Sequence, residues 1–485
     1  MGALDSTLAA ERLGATTPPH VLALVAQLHR HGHAAYVVGG SVRDALIGRQ
    51  AKDWDLATDA RPERMLQLLP GAVYENAFGT VAVRRDGHVV EITTFRVEHE
   101  YADFRRPHTL EFGDDIRTDL ARRDFTVNAI AWGVEGDSTG TSDAEAAAVP
   151  ADMTPDIRPD VAAEIVDPFG GIADVEGGVL RAVGDPDTRF REDALRMVRA
   201  VRLVATLGFE IEPATRAAIE ANAALVAHLS GERIGAELAR LLAAPRPSVG
   251  LRLAHETGLL AVISPELAAQ RGVLQNKIEG EDLWDHTLRS VDAAPADRPI
   301  VRLAALLHDI GKPATLADGH FHHHDAVGAA QADELLRRLR YPRAAADEVV
   351  DLVRHHMFTV DPDASGAAIR RFIKRIGRDR IDALLALRRA DDIGSGRPGD
   401  SPTLAAFQTR IDEELAAEAA LDRYALKIDG TDLIRELRLE PGPRLGRVLN
   451  ELVERVIADP ALNEAPTLLL LAQGMLADMR DEGTS

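Results

Sequence analysis

Two aspartates one residue apart, Asp53 and Asp55, are the first side chains in this sequence whose type and spacing could do chemistry. If WDLAT (54–58) is a strand, residues i and i+2 leave it on one face and both carboxylates converge. Paired hard oxygens suit Mg²⁺, which takes few protein ligands and keeps positions open for phosphate oxygens. The plain structural alternative is a solvated strand end. Glu91, on a later strand with Thr93, either adds a third carboxylate or serves only as a structural partner. Upstream, GGSVRD (39–44) reads as a strand–turn–helix junction. Gly39 and Gly40 permit close backbone approach, and the helix start near Ser41, together with Arg43, can receive phosphates.

A second set lies far downstream. Eight of the 17 histidines fall between 286 and 356. His286, His308, Asp309, His324, His356 and Asp391 are spaced along a helical stretch. Neutral imidazoles with carboxylates bind Mg²⁺, Mn²⁺, Ni²⁺ or Fe ions, which can activate water for phosphate-ester hydrolysis. His320, His322 and His323 read as exposed bystanders in the loop HFHHH, and His355 as a neighbour of His356. A basic run follows at 370–380, RRFIKRIGRDR. At helical spacing Arg371, Lys374, Arg375 and Arg378 share a face, which suits an RNA backbone as well as it suits solvent.

The elements that must position these groups follow from pattern. The chain has 485 residues, enough for two to four domains at ~150 residues each. AAYVV (34–38) reads as a buried strand stopped by two glycines, and PERMLQLL as a helix opened by Pro62. TVAVRRDGHVVEITTF carries Asp86-Gly87 between alternating apolar runs, a β-hairpin signal. Residues 1–133 thus form a small mixed α/β unit. Residues 134–164 hold eight acids and one base without any period, and read as a disordered insertion. From 189 onward the helical period dominates. The expected class is α+β: a mixed head over 1–185, a helical neck over 186–270, a histidine-bearing domain over 271–399 and a helical tail over 400–485.

Composition sets limits. There is no cysteine, which excludes disulfides, thiolate zinc sites and a cysteine nucleophile, and suits a cytoplasmic setting. No apolar run approaches the ~20 residues of a membrane span, and MGALDS lacks the marks of a signal peptide. Its loose match to a myristoylation pattern is read as chance. A net charge of −21 argues on average against a polyanion partner.

The motif GGSVRDALIGRQAKDWDLATDA (39–60) resembles the signature of class II CCA-adding tRNA nucleotidyltransferases and related bacterial poly(A) polymerases. The resemblance continues through EITTFR (91–96), EYADFRRP (100–107), DLARRDFTVNAIA (119–131), DPFGG (167–171), RFREDALRMVRAVRLVATLGF (189–209) and SGERIGAELARLL (230–242). It implies attack of an RNA 3′-hydroxyl on the α-phosphate of CTP or ATP with release of pyrophosphate. Asp53 and Asp55 would then hold Mg²⁺ ions. Gly39, Gly40, Ser41 and Arg43 would meet the triphosphate, and Arg122, Arg123, Asp124 and Asn128 the nucleotide. FGTVAV (78–83) and a 97–110 segment look more like the CCA-adding enzymes than the poly(A) polymerases, while separate CC- or A-adding activity stays open.

Asp193 and Arg196 fit the same chemistry. Three apart on a helix, they are neighbours on one face. Cytosine and adenine both present an exocyclic amine beside an unprotonated ring nitrogen. A carboxylate accepts from the first and a guanidinium donates to the second, whereas uracil and guanine present the opposite polarity. Finally, LAALLHDIGKP is similar to the HD-domain phosphohydrolase signature. That similarity implies His286, His308, Asp309 and Asp391 as metal ligands, with His324 and His356 at positions that hold a second ion in some HD proteins. The alternative is a degenerate HD fold without metal. The resemblance to the tRNA nucleotidyltransferases further implies tRNA, held by its stacked arms, as the partner.

Overall fold

The computed structural model describes residues 6–51, 53–76, 79–101, 107–136, 163–275, 277–423 and 426–481. Of the acidic stretch 134–164 only the two ends are described, and Phe78 of FGTVAV lies outside the described residues. Contacts divide the chain into two compact units, 1–357 with 386–399, and 358–385 with 400–485.

The first unit begins with helices α1 (Ser6–Thr16) and α2 (Pro19–Arg30) and a mixed sheet. Its strands are β1 (Ala35–Val38), β2 (Asp55–Thr58), β3 (Ala72–Asn76), β4 (Thr80–Arg85), β5 (His88–Thr94), β8 (Ala131–Val134) and β9 (Glu164–Val166), in the spatial order β3-β4-β5-β2-β1-β8-β9. A separate hairpin pairs β6 (Arg96–Tyr101) with β7 (Pro107–Phe112); residues 102–106 of the 97–110 segment lie outside the described residues. The β4–β5 hairpin turns at Asp86 and Gly87, both with positive φ (49° and 81°). That is the geometry the Asp-Gly pair favours, so the expected hairpin forms. The β2–β5 pair is parallel and sets Asp55 opposite Glu91. Because β1 lies antiparallel on the other side of β2, Val38 stands opposite Asp55. One sheet position therefore gathers the end of β1, the start of β2 and the middle of β5.

Helix α3 (Gly40–Leu46) leaves β1 at once, and α4 (Pro62–Leu68) follows β2. Helix α5 (Ile116–Ala121) packs Ile116 and Leu120 into a core with Tyr36, Val38, Ala57, Phe95 and Val166. The body that follows is helical, as its 3.6 period predicts. Helix Leu195–Leu207 buries ten of its 13 residues, among them Met197, Val201 and Val204. Helices Leu283–Ala293 and His324–Arg338 carry His286 and His324, while His308 and His356 stand at the C-terminal ends of helices Pro299–Leu307 and Arg343–His355. Two close approaches need glycine. A Cβ on Gly311 would meet Gly328 N at 2.5 Å, so the turn after His308 can press against the helix that starts at His324. A Cβ on Gly394 would collide with Ser290 Oγ, which lets the segment carrying Asp391 pack on the helix carrying His286.

The second unit is helical. Its tail core gathers Ile428, Leu433, Val448, Leu452, Val456 and Leu468, all nearly excluded from solvent. Burial of each contributes roughly 1.5–3 kcal/mol, which is what holds three short helices together.

Candidate active site of the head and candidate metal centre of the body

Gly39 has φ 78° and ψ −137°, a conformation open to glycine alone at low cost. A Cβ there would sit 2.9 Å from Arg123 Nη1, so the missing side chain makes room for that guanidinium over the turn. Asp55, the first residue of β2, lies close enough to Arg123 to feel its charge. Asp53 falls just before the strand rather than in it, and both aspartates are exposed at the rim. Protein packed around the Asp55 carboxyl partly desolvates it even at this rim and pushes it above its usual range, while Arg123 pulls it back and Asp53 adds to the rise. Burial likewise pushes Glu91 up, helped by Asp55, Glu75 and Asp53. Three carboxylates gathered at one rim, two of them with raised proton affinity, are a donor set short of positive charge, and a hard divalent cation is the group such a set fits.

The arginines above these carboxylates are held by a residue the sequence reading did not single out. Asp119, 1% exposed, accepts from Arg122 Nε and Nη2 at 2.9 and 2.7 Å and from Arg123 Nη2 at 3.2 Å. Burial alone would raise its carboxyl; the two guanidiniums overcome that and hold it below its ordinary value. The signal was present as the i, i+3, i+4 spacing of DLARR, which puts one acid under two arginines at the end of α5.

Several expected ligand contacts turn inward instead. Ser41 donates its hydroxyl to Val38 O at 3.1 Å, so it ties the turn to β1 and does not cap α3. Arg43 is buried, with Nη1 on Asn128 Oδ1 at 2.5 Å and Nε and Nη2 on Asp44 Oδ1 at 2.9 and 2.7 Å. Asp124 is also buried: it accepts from Phe125 N and Asn128 Nδ2 and pairs with Arg199 Nη2 at 2.9 Å. Arg199 and Asn128 offset the burial and hold Asp124 below the usual carboxylate range. A buried charge without such partners would cost several kcal/mol, so the bonds from Phe125 N, Asn128 and Arg199 are what keep Asp124 ionised in the interior. Asp124 and Asn128 thus brace Arg43 and Arg199 from inside.

Asp193 and Arg196 do not share one helix. Helix Pro186–Glu192 ends at Asp193, whose backbone is extended (φ −146°, ψ 103°), and the next helix starts at Leu195. Asp193 accepts from Leu195 N at 3.0 Å, satisfying a free donor of that helix start, and from Arg233 Nη2 at 2.7 Å. Arg196 donates to Glu192 Oε2 at 2.6 Å, Arg189 O at 3.0 Å and Arg122 O at 2.8 Å. The break between the two helices, not helical spacing, sets how this pair is presented. Arg233 escaped the sequence reading because nothing local to the pair announces a partner from another helix.

The histidine set converges. His286 Nε2 and His308 Nε2 lie 3.1 Å apart. Asp309 Oδ2 is 3.3 and 3.2 Å from these nitrogens, and Asp391 Oδ1 is 3.3 and 3.8 Å from them. On the other side of the same carboxylate, Asp309 Oδ1 lies 3.4 Å from His324 Nε2 and 3.6 Å from His356 Nε2, which are 3.2 Å from each other. Separations of 3–4 Å are those of ligand atoms around an ion at 2.0–2.2 Å. Asp309 thus turns one carboxylate oxygen toward each histidine pair. His308, His324 and His356 each donate Nδ1–H to the carbonyl three residues earlier, at 2.8, 2.8 and 2.6 Å. This fixes the tautomer and leaves the Nε2 lone pair facing the centre. Among the described residues His286 Nδ1 is buried without a partner. Burial lowers the proton affinity of His308, while Asp309 and Asp391 are held far below the ordinary carboxylate range by the imidazoles and by Lys312 and Lys277 respectively. His320, His322 and His323 are exposed, as expected.

In the second unit, helix Gly366–Ile376 buries Ile369, Phe372, Ile373 and Ile376 and exposes Arg371, Lys374 and Arg375. The helix ends at Gly377 (φ 86°). Arg378 therefore opens the next helix and is not the fourth member of that helical face.

Residues 35–149 match the Poly A polymerase head domain, 208–271 the probable RNA and SrmB-binding site of polymerase A, and 277–393 the HD domain. The CCA-adding enzyme of Lacticaseibacillus paracasei is 32% identical over 96% of this chain and 99% of its own length. The chain belongs to the CCA-adding enzyme family. Within that family, the CCA-adding enzyme of Geobacillus kaustophilus is 40% identical over 59% of the chain, and the match spans 66% of that relative. Other Geobacillus relatives are matched over little more than half their length. The crystal structure of the Bacillus stearothermophilus CCA-adding enzyme in complex with CTP superposes with a TM-score of 0.61 at 28% identity, covering 96% of this chain and 100% of the other. The family membership agrees with the mixed-sheet head and helical body described above. Among the described residues no helix is long and apolar enough to cross a membrane.

Proposed function

We propose that this chain adds C, C and A without a template to the 3′ end of tRNA, using CTP and ATP and releasing pyrophosphate. The observation that carries the reading is the carboxylate group of Asp53, Asp55 and Glu91 beside the Gly39 turn and Arg123. Asp53 and Asp55 would hold Mg²⁺, which supplies activation of the attacking 3′-oxygen and stabilisation of the leaving pyrophosphate. Arg123 and the Gly39-Gly40 turn receive the triphosphate. Arg122, fixed by Asp119, ties the head to the neck through its carbonyl bond from Arg196.

Asp193 and Arg196 read the base edge, the carboxylate accepting the exocyclic amine and the guanidinium donating to the ring nitrogen. Arg371, Lys374, Arg375 and Arg378 contribute to tRNA backbone contact. The working division of labour is a head to about residue 185, a neck to 270, an HD domain to 399 and a tail beyond, in a cytoplasmic protein. The test is incubation with tRNA ending at the discriminator base and CTP and ATP separately and together. Ordered addition of C, C and A is expected, and incorporation of a single nucleotide type would refute it. Asp55→Ala should end addition without unfolding the protein.

A second activity is favoured by the six convergent ligands of the body. His286, His308, Asp309 and Asp391, with His324 and His356 on the far side, fit a divalent metal centre, whose ion would supply an activated water for phosphate-ester hydrolysis. Asp309→Ala should end hydrolysis of a terminal or 2′,3′-cyclic phosphate and leave nucleotide addition intact. A chain that hydrolyses no such ester with Mg²⁺, Mn²⁺, Ni²⁺ or Fe²⁺ would refute this second reading.

A further inference from the structure

Two ammonium groups already touch the ligands of the body's metal centre. Lys312 Nζ donates to Asp309 Oδ2 and to Gln275 Oε1, each at 2.6 Å, and is thereby held in place by two acceptors. Lys277 is different. Its Nζ lies 3.6 Å from Asp391 Oδ1 and 3.3 Å from His286 Nε2. Both atoms face the first ion position, the one bounded by His286, His308, Asp309 Oδ2 and Asp391. Among the described residues its ammonium makes no other hydrogen bond, and no carbonyl or amide anchors it. Its side chain is 30% exposed, so a route outward to water is open.

The two ion positions are therefore unequal. An ion bound to His286 Nε2 at about 2.1 Å cannot lie farther than about 5.4 Å from Lys277 Nζ while the lysine stays where it is. Two like charges that close, in a partly desolvated site, repel strongly. The second position, bounded by Asp309 Oδ1, His324 and His356, has both imidazoles locked by Phe321 O and Val353 O with their lone pairs inward. At the first position one imidazole, His286, lacks such a lock.

Building on the metal-centre reading above, we propose that Lys277 is a resident cation of that centre. It neutralises the first position while no metal is bound, so the centre loads first at Asp309–His324–His356. The His286–His308–Asp309–Asp391 position fills only when Lys277 swings into solvent. Anything that binds the vacated site must displace the ammonium first, which lowers apparent metal affinity there and nowhere else.

The test is Mn²⁺ titration of the full chain, followed by the electron paramagnetic resonance of free Mn²⁺, in an Asp53→Ala/Asp55→Ala background that removes ions held by the head. Two classes of site are expected, one tight and one weak. Lys277→Gln should tighten the weak class by about tenfold or more and leave the tight one unchanged. Lys277→Arg, which keeps the charge, should leave both unchanged, and His356→Ala should abolish the tight class. A weak class that Lys277→Gln leaves unchanged or loosens overturns the proposal while the metal centre stands. So does loss of the weak rather than the tight class in His356→Ala. Absence of Mn²⁺ binding in parent and variants alike would overturn the metal-centre reading and this proposal with it. Circular dichroism and thermal midpoints of each variant check that the fold persists.

Discussion

Asp119→Asn should disarm the head without touching a nucleotide. The substitution keeps shape but removes the charge that two guanidiniums share. Breaking a buried pair by deleting one partner costs ~3–5 kcal/mol. Arg122 and Arg123 keep about a fifth of their side-chain surface in water (19% and 21%), which softens the cost to about 2–3 kcal/mol. The asparagine amide would also point N–H groups at N–H groups, so the arginines must move. Arg123 then leaves the Gly39 turn, and a displacement of ~1 Å there can cost about a hundredfold in rate.

The sign with pH is fixed by the direction of the shift. Asp119 is held below its ordinary value, so its contribution is complete above the unfolded pKa of about 3.9 and is lost as pH falls through the folded value. Urea unfolding of the head should therefore show a gap between wild type and variant that is constant from pH 7 to 5 and narrows below about pH 4. Single-turnover CMP addition at pH 7 should fall together with stability. Equal stability of the two proteins at pH 7, or a gap that widens on acidification, would refute the reasoning.

Three further outcomes are expected. Glu91→Gln should remove the carboxyl whose proton affinity is raised by desolvation, Asp55, Glu75 and Asp53, so an acid limb of nucleotide addition that reports Glu91 should move to lower pH; an acid limb that stays in place counts against a part for Glu91 in the carboxylate group. Arg233→Ala should free the Asp193 carboxylate from its 2.7 Å partner and reduce discrimination against UTP by about tenfold, read from the ratio of kcat/KM for CTP and UTP. Gly39→Ala should depress addition by at least tenfold, because φ 78° strains the alanine and its Cβ crowds Arg123; a fully active alanine variant would contradict the role given to that turn.

What could be read from sequence was whatever is local. The Asp86-Gly87 hairpin, the glycine stop after β1 and the helical period of the body all rest on a few nearby residues, and they formed as expected. Convergence of His286, His308, Asp309 and Asp391 spans more than a hundred residues, yet it was legible because LAALLHDIGKP resembles the HD-domain signature, whose ligands those positions match. Direction of a side chain was not legible. Arg43 and Asp124 carry the right residue types in the right motif, but whether they face a ligand or the interior depends on Asn128, which bonds both, and on Arg199, which reaches Asp124 from another element. Asp193 shows the same limit. Its spacing to Arg196 is helical, and only the demand for a donor-satisfying residue at the next helix start breaks the helix there.

The net charge of −21 gains a physical meaning once the arginines are placed. In the head and neck, Arg43, Arg122, Arg123, Arg196, Arg199, Arg202 and Arg233 are each paired with a carboxylate of the chain. Such cations are already compensated and release few counterions when RNA arrives. The basic helix of the second unit differs, since Arg371, Lys374 and Arg375 stand exposed beside one another. If they and Arg378 supply four phosphate contacts, log affinity for tRNA should fall with log salt at a slope of about −3 to −4. Between 50 and 200 mM salt that is a loss of about a hundredfold, far from the steep dependence of a strongly basic RNA-binding protein. Lys374→Glu should flatten the slope by about one while leaving CTP binding to the head unchanged. A slope steeper than about −6, or one that Lys374→Glu leaves unaltered, would place the tRNA contact elsewhere and require some of the paired arginines to release their carboxylates on binding.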